Sequence, residues 1–369
     1  MSADAWAWTT VGMVFVIFCG SWALTPKLMP PTTPFGVRVP SRTPEIDAAV
    51  ARAGRGFAWR LGAAALLVAL AATSISPPSH PAAAVTVTAL GGTVLGMLAY
   101  YWTYHELRTF KRAQDWYRAV RVGAVAHLNP PDRRPRWDAF QIAALAIVAG
   151  LAVMAILRYP ALPARLPVHF GINGVANRFA AKSVAALLAV VGIPAALALA
   201  LAAGAHWLPT LSAPLDPAAP EASAEQQAVF VHRTQMILGG AADLVAIESL
   251  LIALAMSRTA AYARVMPIVA GVGLPVLLVA FVLTIALRTG QGGHRINAGH
   301  TSSTGLSARD DDRLWWAGQL YVNRDDPAFL VPKRVGFGYT LNFGHPGAWL
   351  AVTGLVGLAV LGLVLAAHP

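Results

Sequence analysis

Apolar residues in this chain come in long, nearly uninterrupted blocks, not at alternate positions or at helical three-and-four spacing. Eight such blocks stand near residues 5–24, 58–76, 82–104, 138–157, 184–207, 232–256, 262–287 and 346–367. A helix needs about 20 apolar residues to cross a hydrocarbon core, where its backbone must satisfy itself. The pattern predicts an all-α integral membrane protein of about eight transmembrane helices with a small turn-rich cytoplasmic module. No Lys or Arg precedes the first block and no small-residue cleavage site follows it, so it predicts a retained helix.

The connecting segments divide the chain. Residues 1–137 form a three-helix region with basic loops, 138–287 a four-helix region, 288–345 a loop with a small module, and 346–369 the last helix. Thr43 followed by Pro44 reads as a helix cap, which predicts a short cytoplasmic helix over EIDAAVARA. After the aromatic belt YYWTYHE, Leu107, Phe110, Gln114, Tyr117 and Val120 share one helical face while Arg108, Lys111 and Arg118 share another. That tail predicts a helix lying on an anionic membrane surface. Residues 289–313 are Gly, Ser and charge without period, which predicts a flexible loop. From Leu314 to Pro346 the sequence is dense in aromatics and turn formers, which predicts short strands and turns.

Composition agrees with the pattern. Only 12% of residues are charged, against about 25% in soluble domains. The net charge of +11 would suggest nucleic acid in a soluble protein; here it follows the rule that basic loops stay inside. Loops 25–57, 105–137 and 288–345 hold 5, 8 and 7 Lys plus Arg, whereas 77–81, 158–183 and 257–264 hold 0, 4 and 2. This predicts an external N-terminus, three cytoplasmic basic segments and no nucleic-acid partner. The loop 208–231 carries Asp216, Glu221 and Glu225 without a basic residue, which leaves the side of 208–261 open. A single Cys19 excludes an intrachain disulfide and thiolate-pair metal sites.

The segment YPALPARLPVHFGING, Tyr159 to Gly174, interrupts the apolar pattern. Pro160, Pro163 and Pro167 deny it a helix and favour a polyproline-like path, and Asn173-Gly174 suits a tight turn. It predicts an ordered external loop presenting His169, Phe170, Asn173, Arg178 and Lys182 to a ligand. No second metal-ligating residue stands at ligand spacing from His169, and His105-Glu106 lacks the second His of a zinc helix, so no metal and no cofactor is expected. Asp243 and Glu248 lie within an apolar run, where carboxylates mark functional candidates; five residues apart, they sit about 140° around a helix and form no site as a pair alone. VGIP at 191–194 and VGLP at 272–275 place paired Gly-Pro breaks in two spans, a feature of some transporters. Gly290, Gly292 and Gly293 between Arg288 and Arg295 offer an anion-binding nest. No nucleophile motif is present and no catalytic residue is assigned.

Tyr159, Pro160, Leu162, Pro163, Pro167, His169, Phe170, Gly171, Gly174, Arg178 and Lys182 together resemble the signature of a bacterial membrane domain, domain of unknown function 1648, found in immunity proteins of the SdpI type. The chain departs from that signature at Val175, Ala176, Asn177 and Phe179, where Glu, Pro, Asp and Trp are usual. GVRVPSRTPE at 36–45 and RTGQGGHR at 288–295 are similar to further motifs of such proteins. The stretch WWAGQLYVNRDDPAFLVPKRVGFGYTLNFGHP resembles a second uncharacterised module often fused to the first, with Asn323, Asp326, Lys333, Arg334 and Asn342 in register. The resemblance implies a binding protein of the bacterial cytoplasmic membrane, multi-pass and not an enzyme, surrounded by membrane lipids. It would meet a peptide toxin or envelope ligand outside and a protein partner at the cytoplasmic module. The alternatives are a proton-coupled or small-solute transporter using Asp243 and Glu248, and an accessory subunit of a membrane complex.

Overall fold

The computed structural model describes residues 3–40, 42–75, 79–123, 135–170, 176–211, 214–256, 269, 273–297 and 304–367. The chain is mostly helical, and seven described helical stretches are long and apolar enough to cross a membrane. They are α1 (Ala3–Leu28), α2 (Pro44–Ser74), α3 (Pro81–Ala113), α4 (Ala139–Arg158), the run from α5 (Val184–Leu187) through a π-helical stretch (Leu188–Gly192) into α6 (Ile193–Trp207), α7 (Pro220–Met256) and α8 (Leu274–Thr289). The eighth expected helix is α9 (Pro346–Ala367), whose stretch Pro346–Gly357 is by itself shorter than a span. Leu66, Leu70, Ile156, Leu157 and Leu350 are exposed on these helices, as surfaces solvated by lipid require.

The chain forms two compact units. The first comprises Met1–Asn129, Ser212–Phe230 and Ala286–Ala348; the second comprises Pro130–Leu211, Val231–Ile285 and Trp349–Pro369.

In the first unit, Thr43 Oγ1 accepts a hydrogen bond from the Ile46 amide at 3.3 Å, Pro44 presets the first helical turn, and Glu45 and Asp47 face the positive helix end. The expected short helix is the beginning of α2 itself. Ile46, Ala49, Ala53 and Phe57 recur on one buried face that continues into the span, so nothing ends the helix at Ala53. That face packs on Phe35, Val37, Tyr100, Tyr104 and Leu107. Nor does the basic tail after α3 form a surface-lying helix: α3 runs on to Ala113, Leu107 and Lys111 are buried, and Asp115 turns the chain at φ 44°.

The segment 304–345 folds as small ladders. Strand β3 (Trp315–Trp316) pairs with β4 (Leu320–Tyr321), and β5 (Leu330–Pro332) with β6 (Tyr339–Leu341), around Trp315, Tyr321 and Val331. Much of the expected flexible loop before it is held in place. The buried Gln291 side chain exchanges two 2.8 Å hydrogen bonds with the Gly338 backbone, and the Thr304 amide donates to Ala218. At the candidate anion nest the amides of Gly290, Gly293 and Arg295 are already bonded to the carbonyls of Ala286, Gly290 and Thr289, and the Arg295 side chain folds back onto the Leu287 carbonyl.

In the second unit, α4 begins with a capping box, Asp138 bonding the Gln141 amide and Gln141 bonding the Asp138 amide. Ala144, Ala202 and Ala242 let α4, α6 and α7 approach closely, each no more than 1% exposed. The first Gly-Pro break coincides with the π-helical stretch at 188–192; of the second, Val272 lies outside the described residues, and Leu274 and Pro275 open α8. The expected polyproline-like loop is instead a two-stranded hairpin, β1 (Arg165–Phe170) against β2 (Ala176–Ala181). Irregular register around Pro167 and His169 accommodates the proline, which has no amide to give a ladder.

One close approach makes a testable point. Gly36 has φ +79°, and a Cβ there would lie 2.7 Å from both the Gly318 carbonyl oxygen and the Tyr100 hydroxyl; Gly292 has φ +66° with open space around it. Gly292→Ala should cost about 1–2 kcal/mol from backbone conformation alone. Gly36→Ala should cost clearly more, measured by thermal unfolding in mild detergent.

Candidate functional site

Two arrangements of polar side chains stand out, one in each unit, and a third group is buried within the second unit.

In the second unit the β1–β2 hairpin has two faces. Leu166 and Ala180, paired in register, are buried, and Leu166 packs with Leu151, Val191 and Met256. His169, Asn177 and Arg178 are exposed, with His169 opposite Arg178. His169 Nδ1 lies 2.6 Å from Asn177 Oδ1. An amide oxygen only accepts, so Nδ1 is the donor in this contact. Lys182 has a different task. Its amide donates to Ala164, its ammonium donates to the carbonyls of Pro160 at 3.0 Å and Leu162 at 3.2 Å, and it stands 5.1 Å above the Tyr159 ring. It closes the base of the hairpin over the turn Tyr159–Ala161. Phe170 ends β1, and Asn173 lies outside the described residues.

The first unit contains a buried charge centre that the sequence reading missed. Arg334, 3% exposed, donates to Asp312 Oδ1 at 2.6 Å, to the Gly36 carbonyl at 2.8 Å and to Asp311, and lies 4.8 Å over the Trp315 ring. Arg38 donates through its side chain to Asp311 and through its amide to Asp312. Lys111, 5% exposed, bonds Asp312 at 2.7 Å and Asp310 at 2.8 Å. Three cations meet three carboxylates, so the centre is neutral. Burial alone would push Asp311 and Asp312 up, but Arg38 and Arg334 around the first, and Arg334 and Lys111 around the second, hold both below the usual carboxylate range. Burial pushes the nearby Tyr117 hydroxyl up and the Lys333 ammonium down. The run Asp310-Asp311-Asp312 is the sequence signal that pointed here, hidden within a segment expected to be loop.

The remaining module residues turn inward. Asn342, fully buried, accepts from the amides of Asn323 and Gly344 and donates to the carbonyls of Asn323, Asp326 and Ala328. Asp326 accepts from the Tyr321 hydroxyl and the Ala328 amide, and Asn323 donates to Tyr321. Asn323, Asp326, Arg334 and Asn342 thus hold the module's own turns together.

The third group surrounds Asp243. Asp138 Oδ2, Gln141 Nε2, His206 Nδ1 and Asp243 Oδ1 are buried atoms with no hydrogen-bond partner among the described residues. Asp138 interacts electrostatically with Asp243. Gly239, one turn before Asp243, lets the start of α4 approach closely: a Cβ there would stand 2.7 Å from the Phe140 Cβ and 3.6 Å from Asp138 Oδ1. His206 stacks on Trp137 at 4.1 Å. Asp243 is therefore grouped with Asp138, not with Glu248 five residues on. The D-x-x-Q capping pattern at 138–141 was the available signal. Glu106 of the His-Glu pair is bonded to Arg60 at 2.7 Å.

Residues 146–193 match the model of a domain of unknown function, DUF1648, and residues 324–349 match that of a family of unknown function, DUF5808. The first match takes in the C-terminal part of α4, the hairpin and the π-helical break; the second takes in β5, β6 and the start of α9. No curated protein matches the chain, and no solved structure does.

Two outcomes test the charge centre. Removing one partner of a buried ion cluster leaves an uncompensated charge, so Arg334→Ala should destabilise the protein by about 3–5 kcal/mol in detergent unfolding. Because Asp311 and Asp312 bind protons less readily folded than unfolded, their contribution is complete above the ordinary carboxylate value of 3.8 and declines as pH falls through the depressed values. The melting temperature should drop below about pH 4, and drop less steeply in Asp312→Asn.

Proposed function

We propose that this multi-pass membrane protein is a receptor for an extracytoplasmic ligand, of the immunity or sensing kind implied by its resemblance to SdpI-type proteins. The observation that carries this reading is the hairpin. Lys182 fixes its base, Leu166 and Ala180 are buried, and His169 and Arg178, paired in register, are both exposed. An exposed imidazole and an exposed guanidinium at paired positions of a fixed hairpin suit a peptide or envelope ligand that offers polar and anionic groups. On this reading the hairpin lies outside the bacterial cytoplasmic membrane and the charge centre inside, with the N-terminus external. The module around Asp326 to Asn342 would face a cytoplasmic protein partner, and no step requires catalysis.

A transport reading is favoured by one observation, the unpartnered buried atoms of Asp138, Gln141, His206 and Asp243. Polar atoms held without partners inside a membrane bundle suit a solute or proton that pairs with them in passing.

Native mass spectrometry from mild detergent identifies a co-purifying ligand and its occupancy. His169→Ala and Arg178→Ala should each weaken binding roughly 10- to 100-fold, the cost of one lost hydrogen bond to a charged or oriented group, with insertion and yield unchanged. Occupancy equal to wild type in both variants defeats the receptor assignment. For the second reading, proton or solute flux into liposomes should vanish in Asp243→Asn; flux that persists in that variant removes the transport reading.

A further inference from the structure

The β3–β4 hairpin of the first unit has a face that its own fold does not explain. Its turn, in which the Gln319 amide donates to the Trp316 carbonyl, has positive φ at both central residues, Ala317 at 51° and Gly318 at 68°, and three residues separate the paired positions Trp316 and Leu320. One face, Trp315 and Tyr321, is buried in the module core. On the other face Trp316 pairs in register with Leu320, and both are exposed, Trp316 at 70%; Val322, two residues on, is exposed as well. An antiparallel hairpin with one face on a core and the other in water places polar side chains outward. This one places Trp, Leu and Val there, and Arg313 and Arg324 are exposed at its two ends.

The position of the hairpin says what covers that face. Its tip is seated on α3: the Tyr100 hydroxyl lies 3.0 Å from the carbonyls of both Phe35 and Ala317 and donates to one of them, and the Gly318 Cα sits against Gly36. Tyr101 and Trp102, the next two residues of α3, are exposed at 50% and 66%, and Arg60 of α2 stands 5.6 Å over the Trp102 ring. Exposed Tyr and Trp at the end of a spanning helix, followed by charged residues, mark the headgroup level of a bilayer. At 1.5 Å of rise per residue, the hairpin tip meets α3 at that same level.

We propose that Trp316, Leu320 and Val322 lie in the headgroup layer of the membrane, with Arg313 and Arg324 on anionic lipid phosphates, so that the module is an interfacial anchor continuous with the aromatic belt of α3. The apolar face then needs no protein partner. The two arginines add attraction that an uncharged leaflet does not supply.

The proposal is tested on the full chain with Cys19→Ser, reconstituted in vesicles of phosphatidylglycerol and phosphatidylcholine. Single substitutions Leu320→Cys, Trp102→Cys and Asp325→Cys, all at exposed positions, carry a nitroxide label. Accessibility to lipid-soluble oxygen is compared with accessibility to a water-soluble nickel chelate. The expected oxygen-to-nickel ratio at 320 approaches that at 102 and exceeds that at 325 several-fold. A ratio at 320 equal to that at 325 overturns the proposal and leaves a face open to soluble partners. Exclusion of both reagents at 320 overturns it in favour of cover by protein. Replacing phosphatidylglycerol with phosphatidylcholine should lower the ratio at 320 in the parent, and much less in Arg313→Gln with Arg324→Gln; an equal drop in both removes the role of the arginines.

Discussion

Burying a charge in a low-dielectric interior is costly unless it is paired and hydrogen-bonded, and the first unit is arranged around meeting that demand. Arg334 cannot sit where it does unless Asp311, Asp312, the Gly36 carbonyl and the Trp315 ring are all in place. Lys111 at the end of α3 and Arg38 in the loop after α1 share the same carboxylates. Segments hundreds of residues apart in sequence must therefore come together at once. The consequence is that the module is an integral part of the unit that contains α1, α2 and α3. The close approach of Gly36 to Gly318, with Tyr100 between loop and hairpin, follows from the same requirement.

Helices in a bilayer gain little by hiding apolar surface from equally apolar lipid, so small residues and a few polar fastenings carry the specificity. The second unit shows both. Ala144, Ala202 and Ala242 permit close approach, and Lys182 fastens a hairpin at the helix ends by capping two carbonyls above a tyrosine. This gives a physical reason for the Tyr, Pro, Leu and Lys of the DUF1648-like signature in this chain. Those residues build the base, leaving His169 and Arg178 as the outward groups on which the receptor proposal rests. Asn177, where the signature usually has Asp, bonds the His169 ring without adding a negative charge.

What could be read from the sequence was the part governed by local chemistry. Continuous apolar blocks predict spans, Thr43-Pro44 predicts a helix start, and both motif segments coincide with the family matches. What could not be read depended on partners far along the chain. The tail of α3 has the periodicity of a surface helix, yet Lys111 turns inward because Asp310 and Asp312, about 200 residues later, receive it. The Asp triplet looked like solvated loop for the same reason. The proline-rich segment predicted an irregular path, and the strands pair where Leu166 and Ala180, opposite each other in the ladder, are both buried. Asp243 was legible as unusual, but its neighbour Asp138 comes from another helix, and spacing within one helix pointed to Glu248.

The most direct test of the central claim, that buried ion pairing makes the module, the start of α2 and the end of α3 one cooperative body, is hydrogen exchange of the intact protein in lipid nanodiscs. The amides of Gly36, Val37, Leu314 to Val322 and Val331 to Val335 should exchange at rates within the range shown by α3 near Tyr104, and accelerate together as denaturant is raised. Rapid exchange throughout 314–335 while α3 stays protected would show a module that opens on its own, and would contradict the account.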